Sequence, residues 1–208
     1  MTDIETADQY QRRLAEYVEG KDPIAMQRAA ADTLTQLIGG VSEEKLRRRP
    51  APQKWSVLEI LAHLAEDELV SSWRYRQMIE HNGVTIMGFD QDEWARLGDY
   101  GSWGVREALE MFRLLREANL RVLTRLTPRE WECIGNHEER GRMTVRDLAR
   151  HIAAHDINHI LQIEHLLRDD GRTPSLSYSR DEIFSAASGD VITNQVALRQ
   201  NVVHPQNK

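Results

Sequence analysis

Only one cysteine, Cys133, occurs in the 208 residues of this chain. That excludes an internal disulfide framework and a cysteine-rich zinc site. No apolar run approaches the roughly 18 residues needed to span a bilayer. The opening Met1, Thr2, Asp3, Ile4, Glu5 is acidic where a secretory leader would be basic and then apolar. A cytoplasmic location and no membrane contact are the resulting expectations. Positive charge is also in deficit: 27 Lys and Arg stand against 33 Asp and Glu, a formal net charge of -6. Nucleic acid is therefore not an expected partner, because phosphate binding needs a basic patch. The basic residues are mostly arginine, a bias from which no function follows. The chain has no internal repeat, no low-complexity tract and no convincing strand alternation.

With 40% hydrophobic and 29% charged residues, the composition fits a soluble globular protein long enough to bury a full core. Periodicity divides it into four long helical segments. The first runs from about Ile24 to Ile38 and stops at Gly39-Gly40, with a shorter helix from about Ile4 to Val18 before it. A two-proline turn over Arg47 to Pro52 follows. The second long helix opens at Ser56, with Glu59 three residues on completing a capping box, and continues to about His81, where Asn82-Gly83 stops it. Val84 to Gly104 reads as an irregular connection, long enough to be functional. The third helix spans about Val105 to Leu126, ended by Thr127-Pro128. A second connection covers Trp131 to Met143, where Gly135-Asn136 could turn a short hairpin. The fourth helix opens at Thr144, with Asp147 at N3 as an imperfect capping box, and reaches about Arg168. Four long helices with two long connections predict an all-α four-helix bundle over residues 1–171. Residues 172–208 form a polar, partly irregular extension.

The chemistry lies in the histidines of the fourth helix. His151, His155 and His159 are four apart and share a helix face. Leu148, Ile152, His155, His159, Gln162 and Leu166 form one stripe, apolar at its ends and polar in its middle. Buried polar groups without partners are costly, and a metal ion in the bundle interior would supply the partner. Spacing also allows the pair His151/His155, but the stripe favours His155/His159. The second helix offers His63 among Val57, Ile60, Leu61 and Leu64 as a third ligand. Three imidazoles with open positions make a catalytic-type site. Neutral imidazole suits zinc, nickel, iron and copper; zinc or nickel is the expected ion. Glu66 and Asp67 read as exposed charges, or else as acceptors that orient a ligand histidine. Gln162 reads as a core hydrogen-bonder or a substrate contact. Trp55 reads as a staple before its helix, and Trp73, Tyr75 and Trp131 as packing residues. His81 and His165 read as solvated. A Cys133/His nucleophile is a remote alternative, since Cys133 has no activating neighbour in sequence.

Together these residues resemble the DinB/YfiT-like superfamily of metal-binding four-helix bundles. The matching parts are Trp55-Ser56-Val57 leading into Leu61-Ala62-His63-Leu64, and Thr144-Val145-Arg146-Asp147 leading into His151, His155-Asp156-Ile157-Asn158-His159 and Gln162-Ile163. The resemblance covers about Ala29 to Leu167. It implies an up-down-down-up bundle, with the loop after Gly39 and the Val84–Gly104 stretch as crossovers. It also implies a metal triad of His63, His155 and His159, and a homodimer. Relatives of known activity are metal-dependent transferases and isomerases that use low-molecular-weight thiols; many others have no known activity.

The leading expectation is a divalent-metal-dependent enzyme acting on a small molecule, transferring a low-molecular-weight thiol to an electrophile, with a hydrolase as the alternative. Asp67, Glu66 and Gln162 are its assisting candidates, and Val84–Gly104 is the candidate pocket wall. Two other readings differ in class. One is a non-enzymatic, metal-stabilised dimer with a stress-related or binding role. The other is a metal-free helical binding protein whose histidines are hydrogen-bonded in the core.

Overall fold

In the computed structural model, which describes residues 6–168, four long helices carry the fold: α2 (Pro23–Ile38), α4 (Val57–Glu80), α6 (Val105–Leu123) and α8 (Val145–Arg168). Shorter pieces are α1 (Ala7–Tyr17), α3 (Glu43–Arg47), α5 (Gln91–Leu97) and α7 (Pro128–Trp131). The polar C-terminal extension read from the sequence lies outside the described residues.

The helix starts follow their capping residues. Ser56 accepts from the Glu59 backbone N–H, and the Glu59 carboxylate accepts from the Ser56 backbone N–H, so the box that opens α4 is closed on both sides. Thr144 and Asp147 do the same for α8: Thr144 N–H donates to Asp147 Oδ2 (2.9 Å), and Asp147 N–H donates to Thr144 Oγ1 (3.1 Å). The shorter aspartate serves as well as a glutamate would. The third long helix ends at Leu123, three residues before the predicted end, because Thr124 caps it.

Helix directions can be read from contacts between residues far apart in sequence. Gln27 early in α2 donates to Ala149 O early in α8, and Lys45 beyond α2 donates to Leu167 O at the end of α8, so these two helices run the same way. Glu68 of α4 meets Arg116 of α6, and further along Met78 shares a core cluster with Leu123, so these two are also parallel. By contrast, α4 opposes α8: His63 meets His155, whereas Tyr75 clusters with Leu148 and Ile152. The bundle is up-down-down-up. Parallel neighbours α4 and α6 require the chain to travel back a full helix length, and residues 84–104 are that return.

The return is not irregular, and here the structure corrects the reading from sequence. It contains strand β1 (Val84–Ile86), α5 and a 3-10 turn at Tyr100–Ser102. The second connection contains β2 (Ile134–His137) and β3 (Gly141–Thr144). The three strands form one sheet in the order β1-β2-β3, with β1 parallel to β2 (Val84 opposite Gly135) and β2 antiparallel to β3 (Ile134 opposite Thr144). The hairpin turn falls between His137 and Gly141, not at Gly135-Asn136, which lies within β2. Gly135 is there for closeness: a Cβ on it would stand 2.2 Å from Ile86 Cδ1 and 3.1 Å from Met78 Cγ. Strands of three and four residues are too short to show alternation.

One polar network ties all four bundle helices together. Arg116 of α6 donates to Gln27 O of α2 (2.8 Å), Glu68 Oε1 of α4 (2.8 Å) and both carboxylate oxygens of Asp156 on α8 (2.7 and 2.9 Å). Asn119 adds a bond to Glu68 Oε2 (2.9 Å). All of these side chains are buried. Glu68 and Asp156 directly follow Asp67 and His155, so the network fixes the rotation of α4 and α8 at the histidines. Among the described residues no helix is long and apolar enough to cross a membrane.

Candidate metal centre and adjoining cavity

Antiparallel packing of α4 and α8 brings His63, His155 and His159 together. Their rings are buried, and their ligand nitrogens lie within 4.8 Å of one another. His155 Nε2 is 3.2 Å from His63 Nε2 and 3.1 Å from His159 Nε2. Nitrogens about 2.0–2.1 Å from a shared ion stand roughly 3.0–3.4 Å apart, so the spacing fits one cation. Hydrogen bonding among the rings does not satisfy it. His159 Nδ1–H donates to Gln162 Oε1 (2.9 Å), which leaves its Nε2 a bare lone pair. His155 Nε2 has a single proton or a single lone pair to share between two neighbours. His63 Nδ1 and His155 Nδ1 are both buried without a hydrogen-bond partner.

Burial also keeps these rings neutral, the form that binds metal. It pulls the His63 pKa down to about 3, with His159 adding to the shift, and that of His159 down to about 4 against the opposing bond from Gln162. His155 is held well below the ordinary value by burial and by its two histidine neighbours.

Asp67 is not the exposed charge that one reading gave it: it is 8% exposed, with Oδ2 3.6 Å from His155 Nδ1. Burial, then repulsion from Glu68, raises its pKa to about 7, with Arg74 opposing. Glu66 turns instead to Tyr100, whose hydroxyl donates to Glu66 Oε2 (2.6 Å). Gln162 is exposed on α8, yet it holds His159. The buried stripe of α8 passes from His159 to Ile163 and Leu167 rather than to Gln162 and Leu166. Trp55 does more than staple: its ring lies 4.9 Å from that of His63, with Tyr100 behind it at 6.3 Å. Trp73, expected to pack, is 66% exposed, whereas Tyr75 is buried. Cys133 is half-buried, with only a long contact from Sγ to Arg129 O (3.8 Å).

A cavity of about 350 Å³ opens beside the histidines. His63, His155 and Asp67 form its floor, and Gly88 to Asp92 from the α4–α6 return form one wall, as expected of that segment. Of the remaining wall, His151 alone stood out in the sequence. That wall consists of Arg74 on α4, His137 at the end of β2, Glu139 and Arg140 in the hairpin turn, and His151 one turn before His155 on α8. The sheet brings these segments together: Ile86 pairs with His137, and Gly88 N–H donates to Glu138 Oε2 (3.2 Å). His137 Nδ1 accepts from Glu139 N–H (3.2 Å), so its proton sits on Nε2. His151 stands apart from the three converging nitrogens and lines the cavity instead. Burial, then Arg140 and Arg74, lowers its pKa to about 3.

Comparison with known proteins bears on both fold and family. A solved structure of YfiT from Bacillus subtilis, described as "a probable metal-dependent hydrolase with an unusual four-helix bundle topology", superposes with a TM-score of 0.67 at 18% identity, covering 83% of this chain and 93% of that one. That likeness establishes the fold. Two Oceanobacillus iheyensis proteins and one from Geobacillus thermodenitrificans, each bearing the name "putative metal-dependent hydrolase", are 21%, 25% and 23% identical over 63%, 55% and 54% of this chain. The matches span 75%, 66% and 63% of those relatives' lengths. The family model described as the DinB superfamily matches residues 26–163, which takes in all four bundle helices and all three histidines, and the chain belongs to that superfamily.

Proposed function

We propose that this protein is a divalent-metal-dependent enzyme, with His63, His155 and His159 holding the ion and the adjoining cavity receiving a small-molecule substrate. The observation that carries the reading is the convergence of three buried Nε2 atoms, two of them, on His63 and His155, belonging to rings that line an open cavity and whose Nδ1 is buried without a hydrogen-bond partner among the described residues. A closed, purely structural site would have no such opening. The names of the three relatives support metal dependence. Zinc and nickel are the proposed ions, since neutral imidazole suits both.

A divalent ion held there supplies Lewis acidity, making a thiol or water nucleophilic near neutral pH. The chain's own groups do the rest. Gln162 Oε1 accepts the His159 Nδ1 proton and keeps its Nε2 lone pair facing inward. Asp67 stands 3.6 Å from His155 Nδ1, beyond hydrogen-bond reach, as the nearest acceptor for that nitrogen's proton once the ring turns toward a cation. Trp55, backed by Tyr100, packs against His63 and excludes water from that flank. The names of the relatives favour hydrolysis; the family resemblance favours transfer of a low-molecular-weight thiol. Both need the same site. Exposed Leu69, Trp73 and Met87 line one surface groove, which supports the homodimer included in this reading, as a single cysteine supports a cytoplasmic one.

The test begins with elemental analysis of protein purified without a histidine tag. One equivalent of zinc or nickel is expected. His159→Ala should abolish it, and His151→Ala should leave most of it. The reverse order would move the ligand set one helical turn. Turnover of a chromogenic ester, and separately of 1-chloro-2,4-dinitrobenzene with a small thiol, should depend on metal in one case or the other. Full metal uptake with neither activity would favour the non-enzymatic, metal-stabilised bundle.

A further inference from the structure

The cavity wall facing the histidines contains a group that neither the triad nor the fold explains. Arg74 is only 7% exposed, and it lines the cavity. Among the described residues its one hydrogen bond goes from Nη2 to the Met87 carbonyl (2.7 Å). No carboxylate of the described residues lies within ion-pair distance of it. A buried guanidinium with no carboxylate in contact is costly; Asp67 and Glu139 attract Arg74 only from beyond ion-pair distance, whereas Arg116 in the same bundle has two carboxylates on it. Phe89 packs 5.7 Å from the Arg74 guanidinium, and both residues line the cavity. Arg140, on the hairpin turn, also lines the cavity and makes no hydrogen bond or ion pair with a described residue. His137, with its proton on Nε2, and His151 stand on the same wall.

We propose that Arg74 and Arg140 form an anion subsite that takes the carboxylate of the substrate, holding it so that its reacting atom faces His63 and His155. This inference rests on the metal reading for the second half only; the subsite itself needs no metal. A guanidinium matches a carboxylate in bidentate geometry, and two of them with a neutral imidazole donor can satisfy both oxygens. Two guanidiniums stand against four carboxyl groups on the cavity lining, so an anion is held by local pairing with the arginines and a single negative charge is the most that pairing can offset. Asp67, Asp90, Asp92 and Glu139 also line the cavity, and they would repel the second charge of a phosphate dianion. At about 350 Å³ the cavity is at the small end of ligand sites, which suits a compact acid.

The probe pair is 3-mercaptopropionate and its neutral amide, titrated calorimetrically into the full chain, first zinc-loaded and then chelated. The acid should bind at least tenfold more tightly than the amide in both forms. Arg74→Met should bring the ratio near one, and Arg140→Met, at an exposed position tolerant of change, should reduce it severalfold. In His159→Ala, which should lack the ion, the preference for acid over amide should persist while affinity for both falls. Equal binding of acid and amide by the native chain, or a preference undiminished in both arginine variants, would overturn the subsite. A native chain that takes up no metal but keeps the preference would refute the metal reading and uphold this one. Inorganic phosphate binding more tightly than the acid would overturn the monoanion assignment.

Discussion

Four imidazoles at the site, His63, His151, His155 and His159, are held neutral by burial, and each makes the folded chain sensitive to acid. Their folded pKa values lie below that of a free imidazole, near 3 for His63 and His151 and near 4 for His159. Below about pH 6.5 the unfolded chain therefore binds protons that the folded chain refuses, and stability is lost as pH falls through the window from about 6.5 toward 4. One such imidazole costs about 2 kcal/mol at pH 5. Asp67 and Asp156 act the other way: burial raises them to about 7 and about 6, so they gain protons in the folded state first and oppose the loss. Four groups against two leaves a net loss. Urea unfolding of chelated protein should give a lower midpoint at pH 5 than at pH 7; an unchanged or higher midpoint would mean that the rings are solvated. At this scale the sequence was informative where helical spacing governs. His155, His159 and Gln162 are related by one helix, so their shared side could be read from intervals of four and three. His137 and Arg140 reach the cavity only through the pairing of β1 with β2 and the turn after β2, whereas Arg74 stands on α4 itself, seven residues after Asp67 and eleven after His63 on the same helix face. No local spacing encodes the approach of His137 and Arg140, and those two carried no signal; Arg74 carried one, its place on the His63 face, which was passed over.

Between elements, the decisive contact is Arg116. It bonds to α2, α4 and α8 at once, and neither carboxylate partner has an alternative cation within ion-pair distance among the described residues. Arg116→Met keeps the bulk but leaves Glu68 and Asp156 buried and uncompensated, at a cost of about 3–5 kcal/mol. Denaturant unfolding of this variant should show that loss, and replacing Glu68 and Asp156 together with Gln and Asn should recover part of it. A loss below about 1 kcal/mol would show that water reaches the network. The same contrast explains which elements could be read in advance. Ser56 with Glu59 and Thr144 with Asp147 are local capping pairs, so the starts of α4 and α8 were fixed within a residue. The return from α4 to α6 looked irregular because β1 is three residues long and finds its partner some fifty residues later.

For the molecule as a whole, the histidines join two antiparallel helices whose other contacts are apolar or run through Arg116, so a bound cation would add a cross-link present only in the folded chain. Unfolding separates His63 from His155 by the whole sequence between them, and the three-nitrogen set is lost. The cation therefore stabilises by mass action. At a free metal concentration a hundred times the dissociation constant the gain is about 2.7 kcal/mol. For a chain of this size that corresponds to a rise of roughly 5–10 °C in Tm. Thermal unfolding of chelated protein titrated with zinc or nickel should show this shift, growing with the logarithm of metal concentration. In His159→Ala it should disappear, because two remaining imidazoles bind far more weakly than three. In Arg74→Met it should survive, because the anion wall lies outside the triad. A shift that vanished with Arg74 and persisted without His159 would place the cation on the opposite side of the cavity, and with it the centre of the chemistry.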